Sequence, residues 1–171
     1  HITYQWTYPR KQLLFMGGEF AQTTELNCKT ALPWERSKEP MPDGVHRTVA
    51  ALNQLQANHP ALSEWDCDSR GFEWLNGDDH VQSVISFVRR SSSETLLVVL
   101  NFTPVPRYDY RIPVNDAGEY EEVFNSDAGE FCGSNMLNRD RLYSEPVGFN
   151  GRENSLRLNL PPLAGVVLRK T

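Results

Sequence analysis

The sequence predicts a mainly β protein: a C-terminal antiparallel β-sandwich preceded by a single βα unit. Three observations carry this. Past residue 70 the chain breaks into seven short segments rich in β-branched and aromatic residues, separated by turn residues. Before residue 70, a short apolar run ends in two glycines and leads through a long loop to an amphipathic helix. The length, 171 residues, admits one domain of ordinary size, or one domain plus a piece of another. A complete eight-stranded α/β barrel needs about 250 residues and does not fit.

Residues 3 to 8, "TYQWTY", read as the last turns of a helix that Pro9 stops. Residues 12 to 16, within "LLFMGGEFAQ", read as a strand buried on both faces. The glycines turn the chain at its C-terminal end, so Glu19 and Gln22 project from the edge that is the active-site face in α/β barrels. Gly17 to Asp43 is a loop with three prolines, and loops this long in compact domains are usually functional. Asp43 is the expected N-cap of a helix whose apolar stripe is Val45, Val49, Leu52 and Leu55, and which ends at Asn58-His59-Pro60.

In the second part the expected strands are "FEWLNG", "VQSVISFVRR", "ETLLVVLNF", "YDYRIPV", "YEEVFN", "SLRLNLPPL" and "AGVVLRK". Turns are expected at residues 76–79, 91–93 and 115–118. Leu156, Leu158 and Leu160 alternate with Arg157 and Asn159, as in a half-buried strand. Trp65 and Trp74 are expected as buried or half-buried anchors; Tyr108, Tyr110 and Tyr143 fall in or beside turn-rich segments, where exposed rings would form a weak surface site; and Arg89-Arg90 and Arg139-Asp140-Arg141 are expected on solvated faces with local ion pairs.

Composition narrows the function. The chain is 39% hydrophobic and 23% charged with a net charge of −5, which argues against nucleic acid or an anionic membrane as partner. No apolar run is long enough to span a bilayer. Cys28, Cys67 and Cys132 are widely spaced and odd in number, fitting reduced thiols rather than a disulfide framework or a metal site. His1 in place of Met fits a piece of a longer chain or a tag remnant. No metal or organic cofactor is implied.

"LLFMGGEFAQ", "FEWL", "SVISFVRR", "NFTPVPRYDYRIPV" and the "GSN" of residues 133–135 together resemble the C-terminal end of bacterial 1,4-α-glucan (glycogen) branching enzymes, of the α-amylase superfamily. The resemblance runs from about residue 8 to 169, and "NFTPVPR" followed by "DYR" is its most specific part. It implies that residues 1–69 are the C-terminal remnant of a catalytic (β/α)8 barrel, holding its last βα unit, and that residues 70–171 are the all-β C-terminal domain. It implies a bacterial cytoplasmic enzyme that cleaves α-1,4 linkages of glycogen or another α-glucan and forms α-1,6 branches. Such retaining chemistry uses two carboxyl groups about 5 Å apart. In the family these sit on earlier barrel strands, and a third aspartate lies in a His-Asp motif. No His-Asp dipeptide occurs here, Asp79-His80 being the reverse order, so no catalytic residue is assigned and this chain alone is expected to be inactive.

The candidate substrate-binding residues are Glu19, Gln22 and Trp34. Glu19 either accepts hydrogen bonds from sugar hydroxyls or pairs with a basic residue of a neighbouring barrel strand. Trp34 either stacks on a glucose ring or packs the loop. Where many family members carry Trp-Asn-His-Asp this chain reads Leu26-Asn27-Cys28-Lys29, which puts detailed transfer of sugar contacts in doubt. The β domain is expected to support the barrel; the alternatives are an α-glucan-binding module, with Tyr108, Tyr110 and Tyr143 as a weak surface glucan site, or the C-terminal domain of a debranching or other amylase relative. Without its barrel neighbours the strand at residues 12–16 is expected to self-associate.

Overall fold

The computed structural model describes residues 1–25 and 27–171, so the Leu26 position of the loop departure lies outside the described residues. Eight strands form two sheets: β1 (Phe72–Asp79), β2 (Val84–Arg90), β3 (Thr95–Asn101), β4 (Arg107–Val114), β5 (Glu119–Asn125), β6 (Leu142–Tyr143), β7 (Asn154–Leu160) and β8 (Gly165–Lys170). One sheet has six strands in the order β1-β2-β3-β8-β5-β6; the other is the β4-β7 pair. Every pairing is antiparallel. The seven expected strands are all present, and β6 is an additional short one.

Two cores lie on opposite faces of the six-stranded sheet. Val84, Val88, Leu97, Val99, Val166 and Leu168 face the β4-β7 pair and meet Ile112, Val114, Leu156, Leu158 and Leu160. Phe87, Leu96, Val98, Leu100 and Val167 face the other way and meet two helices, α1 (Ile2–Thr7) and α2 (Pro40–Asn58), through Trp6, Val49, Leu52 and Leu55. This explains "TLLVVL": a strand covered on both sides needs apolar residues at every position, whereas a strand with one wet face alternates. Helices α1 and α2 thus bury their apolar faces on the back of the β-sheet.

Several expectations are corrected. Residues 12–16 form no strand: no neighbouring strand pairs with them among the described residues, and Leu13 and Phe15 are 69% and 64% exposed. An apolar run becomes a strand only where a ladder partner satisfies its backbone. The cap of α2 is Glu39 rather than Asp43, and Pro40 and Pro42 lie inside the first turn, where the missing N–H groups have no intrahelical acceptor to lose. Asp43 instead pairs with Arg47 one turn on, at 2.9 Å. The first hairpin turn falls at residues 80–83 rather than 76–79, because β1 continues through register irregularities as far as Asp79 opposite Val84.

Tyr110 is buried rather than exposed. A bulge sets in between Arg107 and Tyr110, with Asp109 at φ +50°, and it reverses the alternation that would have put Tyr108 and Tyr110 on one face. Its hydroxyl donates to Asp79 Oδ2 at 2.6 Å, and burial together with that carboxylate pushes the phenol well above its ordinary range. Arg89 is fully buried rather than solvated, because it continues the helix-facing register of Ile85 and Phe87. Arg90, on the opposite face, is half-buried and pairs across the strands with Glu73 at 2.6 Å.

Candidate functional site

The turn after the apolar run is built by backbone conformation. Met16, Gly17 and Ala21 all have left-handed φ values (+43°, +82° and +49°), bracketing a single 3-10 turn at Gly18–Phe20. Gly17 suits the positive φ of +82°, and a Cβ there would also displace the end of the Gln22 side chain, whose Oε1 it would approach to 2.7 Å. Gly18 N donates to Phe15 O at 3.1 Å and Gln22 N to Gly17 O at 3.1 Å, so the turn closes on itself. Left-handed non-glycine residues clustered in one loop are the kind of local strain that collects at binding edges.

Trp34 opens a second 3-10 turn, Trp34–Lys38. Its ring centroid is 5.3 Å from that of Phe20, which is buried, while Trp34 itself is 55% exposed. Arg36 bridges the two loops, donating to the Thr23 hydroxyl and pairing with Glu39 at 3.3 Å. Glu19, Gln22 and Trp34 therefore stand on adjoining turns at one edge. Glu19 is half-buried and forms no ion pair among the described residues; it borders a groove of about 520 Å³ walled by Leu14, Met16, Leu32, Val49 and Ala50. Gln22 is tucked under the turn, its Oε1 buried against Gly17 with no donor among the described residues. No group of three or more potential metal ligands occurs among the described residues, and no helix is long and apolar enough to cross a membrane.

A second concave surface, not singled out from the sequence, lies on the β domain. Trp74 is 43% exposed and packs edge-on against Phe72 and Phe87, leaving part of its indole open to a groove of about 580 Å³. Asn76, Asp78, Asp79 and Asn150 supply polar groups around it, and a Cβ at Gly77 would meet the ring at 3.6 Å. The anchoring role expected of Trp74 is met on one side of the ring only. Nothing in spacing alone marks it, because exposure here depends on the end of β1 and the residue 149–150 turn meeting in space.

Residues 74–171 match the family described as alpha amylase, C-terminal all-beta domain. The chain belongs to this family. Beyond the alpha-amylase C-terminal domain itself, the chain is 47% identical over 167 residues to a 1,4-alpha-glucan branching enzyme of Cellvibrio japonicus, and 50% identical over 166 residues to that of Methylococcus capsulatus. These matches cover 98% and 97% of this chain but only 23% and 22% of the relatives. The chain thus spans less than a quarter of the length of these relatives. An alpha-amylase from H. orenii shares the fold, with a TM-score of 0.59 at 16% identity over 99% of this chain and 34% of that one.

Proposed function

We propose that the chain is the C-terminal part of a glycogen branching enzyme, in which residues 1–69 complete the catalytic (β/α)8 barrel and residues 70–171 support it. The parent cleaves α-1,4-glucan and re-forms the released chain as an α-1,6 branch in the cytoplasm. The single observation that carries this is the near-complete coverage of the chain by branching enzymes at 47–50% identity, across the α1–α2 region as well as the β domain. The exposed apolar run and the groove beside α2 fit surfaces that further barrel elements cover. Glu19 and Trp34 then face glucan at the rim, where a carboxylate accepts sugar hydroxyls and an indole covers the C–H face of a glucose ring. Gln22 braces the turn from beneath. The carboxylates that break the bond belong to the rest of the parent, so this chain alone has no branching activity.

The test is to replace the matching region of the Methylococcus capsulatus relative with this chain and to follow the loss of amylose–iodine absorbance together with α-1,6 linkage formation. Branch formation is expected. A folded chimera that forms no branches would overturn the assignment.

The half-open Trp74 with its polar surround favours a second reading, in which the β domain itself holds glucan. Native-gel affinity electrophoresis of this chain in glycogen separates the two readings. Retardation that Trp74→Ala abolishes makes the domain a binding module, and unchanged mobility leaves it as a support.

A further inference from the structure

Arg89 lies on the apolar, helix-facing side of the sheet and is fully buried. Burial draws its pKa down, and the Asp66 carboxylate holds it up. An apolar side chain of similar volume would fill such a site at no greater cost, so a guanidinium here serves geometry more than stability. Its donors go to three segments distant in sequence. Nη1 donates to Thr7 O, the last residue of α1, at 2.7 Å; Nη2 to Asp66 Oδ1, in the turns after α2, at 2.8 Å; and Nε to Gly71 O, at the entry to β1, at 3.3 Å.

The bond to Thr7 leads on to the rim. Gln5 Nε2 in α1 donates to Leu13 O at 2.6 Å, holding the extended run three residues before Met16. Trp6 Nε1 donates to Asn53 Oδ1 of α2 at 2.9 Å, and α2 packs against the Gly18–Phe20 turn. The Tyr8 ring, just beyond Thr7, packs on Phe72 and Phe87 of the sheet. A fixed orientation of α1 on β2 is therefore relayed both along the chain and through α2 to the turn that carries Glu19. We propose that Arg89 is a positioning residue: it sets α1 against the sheet and so fixes the Gly17–Gln22 rim. The functional half of this rests on the reading of that rim as glucan-facing.

The experiment is hydrogen–deuterium exchange on the 171-residue chain, wild type against Arg89→Met and Arg89→Lys, paired with kinetics of the full-length parent carrying Arg89→Met. In the chain, amides of residues 10–22 are expected to exchange at least tenfold faster in Arg89→Met, with those of Leu96–Leu100 still protected. Arg89→Lys, which keeps the charge but cannot reach three acceptors at once, is expected to show at least a threefold acceleration in the same segment. It decides the matter if Arg89→Met does not fold. Unchanged exchange at residues 10–22, or equal acceleration there and in Leu96–Leu100, would overturn the proposal. In the parent, KM for amylose is expected to rise at least fivefold with kcat within twofold. Selective exchange with an unchanged KM would uphold the positioning and overturn the glucan reading of the rim.

Discussion

The most specific piece of sequence in the chain, "NFTPVPR", is organised by one buried amide, and that makes it testable. Asn101 ends β3 and is almost fully buried. Its Nδ2 donates to Val105 O and Pro161 O, each at 2.9 Å, and its Oδ1 accepts from Thr103 N at 3.0 Å and Thr103 Oγ1 at 2.8 Å. One side chain thus closes its own loop and ties it to the loop between β7 and β8. Asn101→Ala removes four bonds worth on the order of 1 kcal/mol each and leaves the buried Pro161 carbonyl unpaired, so a loss of about 3–4 kcal/mol is expected. With a urea m-value of about 2 kcal/mol/M, the midpoint falls by roughly 1.5–2 M. Asn101→Asp keeps the shape but turns a carboxylate oxygen toward two carbonyl oxygens, and its cost is expected to exceed that of alanine, at about 4–5 kcal/mol. Urea unfolding followed by tryptophan fluorescence measures both. A loss below about 1 kcal/mol for alanine, or an aspartate variant as stable as the alanine one, would refute the assignment of these bonds as the loop's organising element.

Two further outcomes follow from buried and paired groups. Ser86 sits on the sandwich-facing side of β2, fully buried, and its hydroxyl has no partner among the described residues; Ser86→Ala is expected to raise the urea midpoint, by about 1 kcal/mol of stability, and a drop would show the hydroxyl to be engaged. In Glu145, hydrogen bonds from Arg111 and Arg157 hold the carboxyl below its ordinary 4.5; in Glu73, bonds from Arg90 and Asn115 outweigh the opposing effect of burial and do the same. A carboxyl whose folded pKa lies below its unfolded one contributes fully above the unfolded value and loses that contribution as pH falls through the folded one, so the melting temperature is expected to decline below about pH 4.5. Glu145→Gln should flatten that decline, and an equal slope in the variant would exclude Glu145 from it.

The β domain was legible because its strands carry their burial in their composition. "TLLVVL" and "GVVL" are apolar at every position and lie at the centre of the six-stranded sheet; Leu156, Leu158 and Leu160 alternate and belong to the two-stranded one. What escaped depended on events that spacing does not encode. The bulge at Tyr108–Asp109 turns Tyr110 inward, and only the three-dimensional path of α1 supplies the carbonyl that makes a buried Arg89 tolerable. Glu19, Gln22 and Trp34 were visible as a carboxylate, an amide and an aromatic in a glycine-bearing loop. Their division of labour was not, because Gln22 folding under Gly17 follows from backbone angles at Met16, Gly17 and Ala21.

The failed strand at residues 12–16 and the success of α2 are two results of one rule. Both segments are apolar and both are written to be buried, but α2 meets a surface within this chain and residues 12–16 do not. Phe87, Leu96, Val98, Leu100 and Val167 offer α2 a continuous apolar face, and burying side chains of this size contributes about 1.5–3 kcal/mol each. Stripping α1 and α2 from that face would expose all five together, a patch of the kind that drives association rather than a stable sandwich. The change in sequence character near residue 70 therefore marks where the chain passes from helix layer to sheets, and not a surface along which the two separate. Whatever holds α2 in place also holds the back of the β-sheet, and the sheet in turn bonds to α1 through Arg89. Support between the α1–α2 layer and the six-stranded sheet is, in this arrangement, mutual.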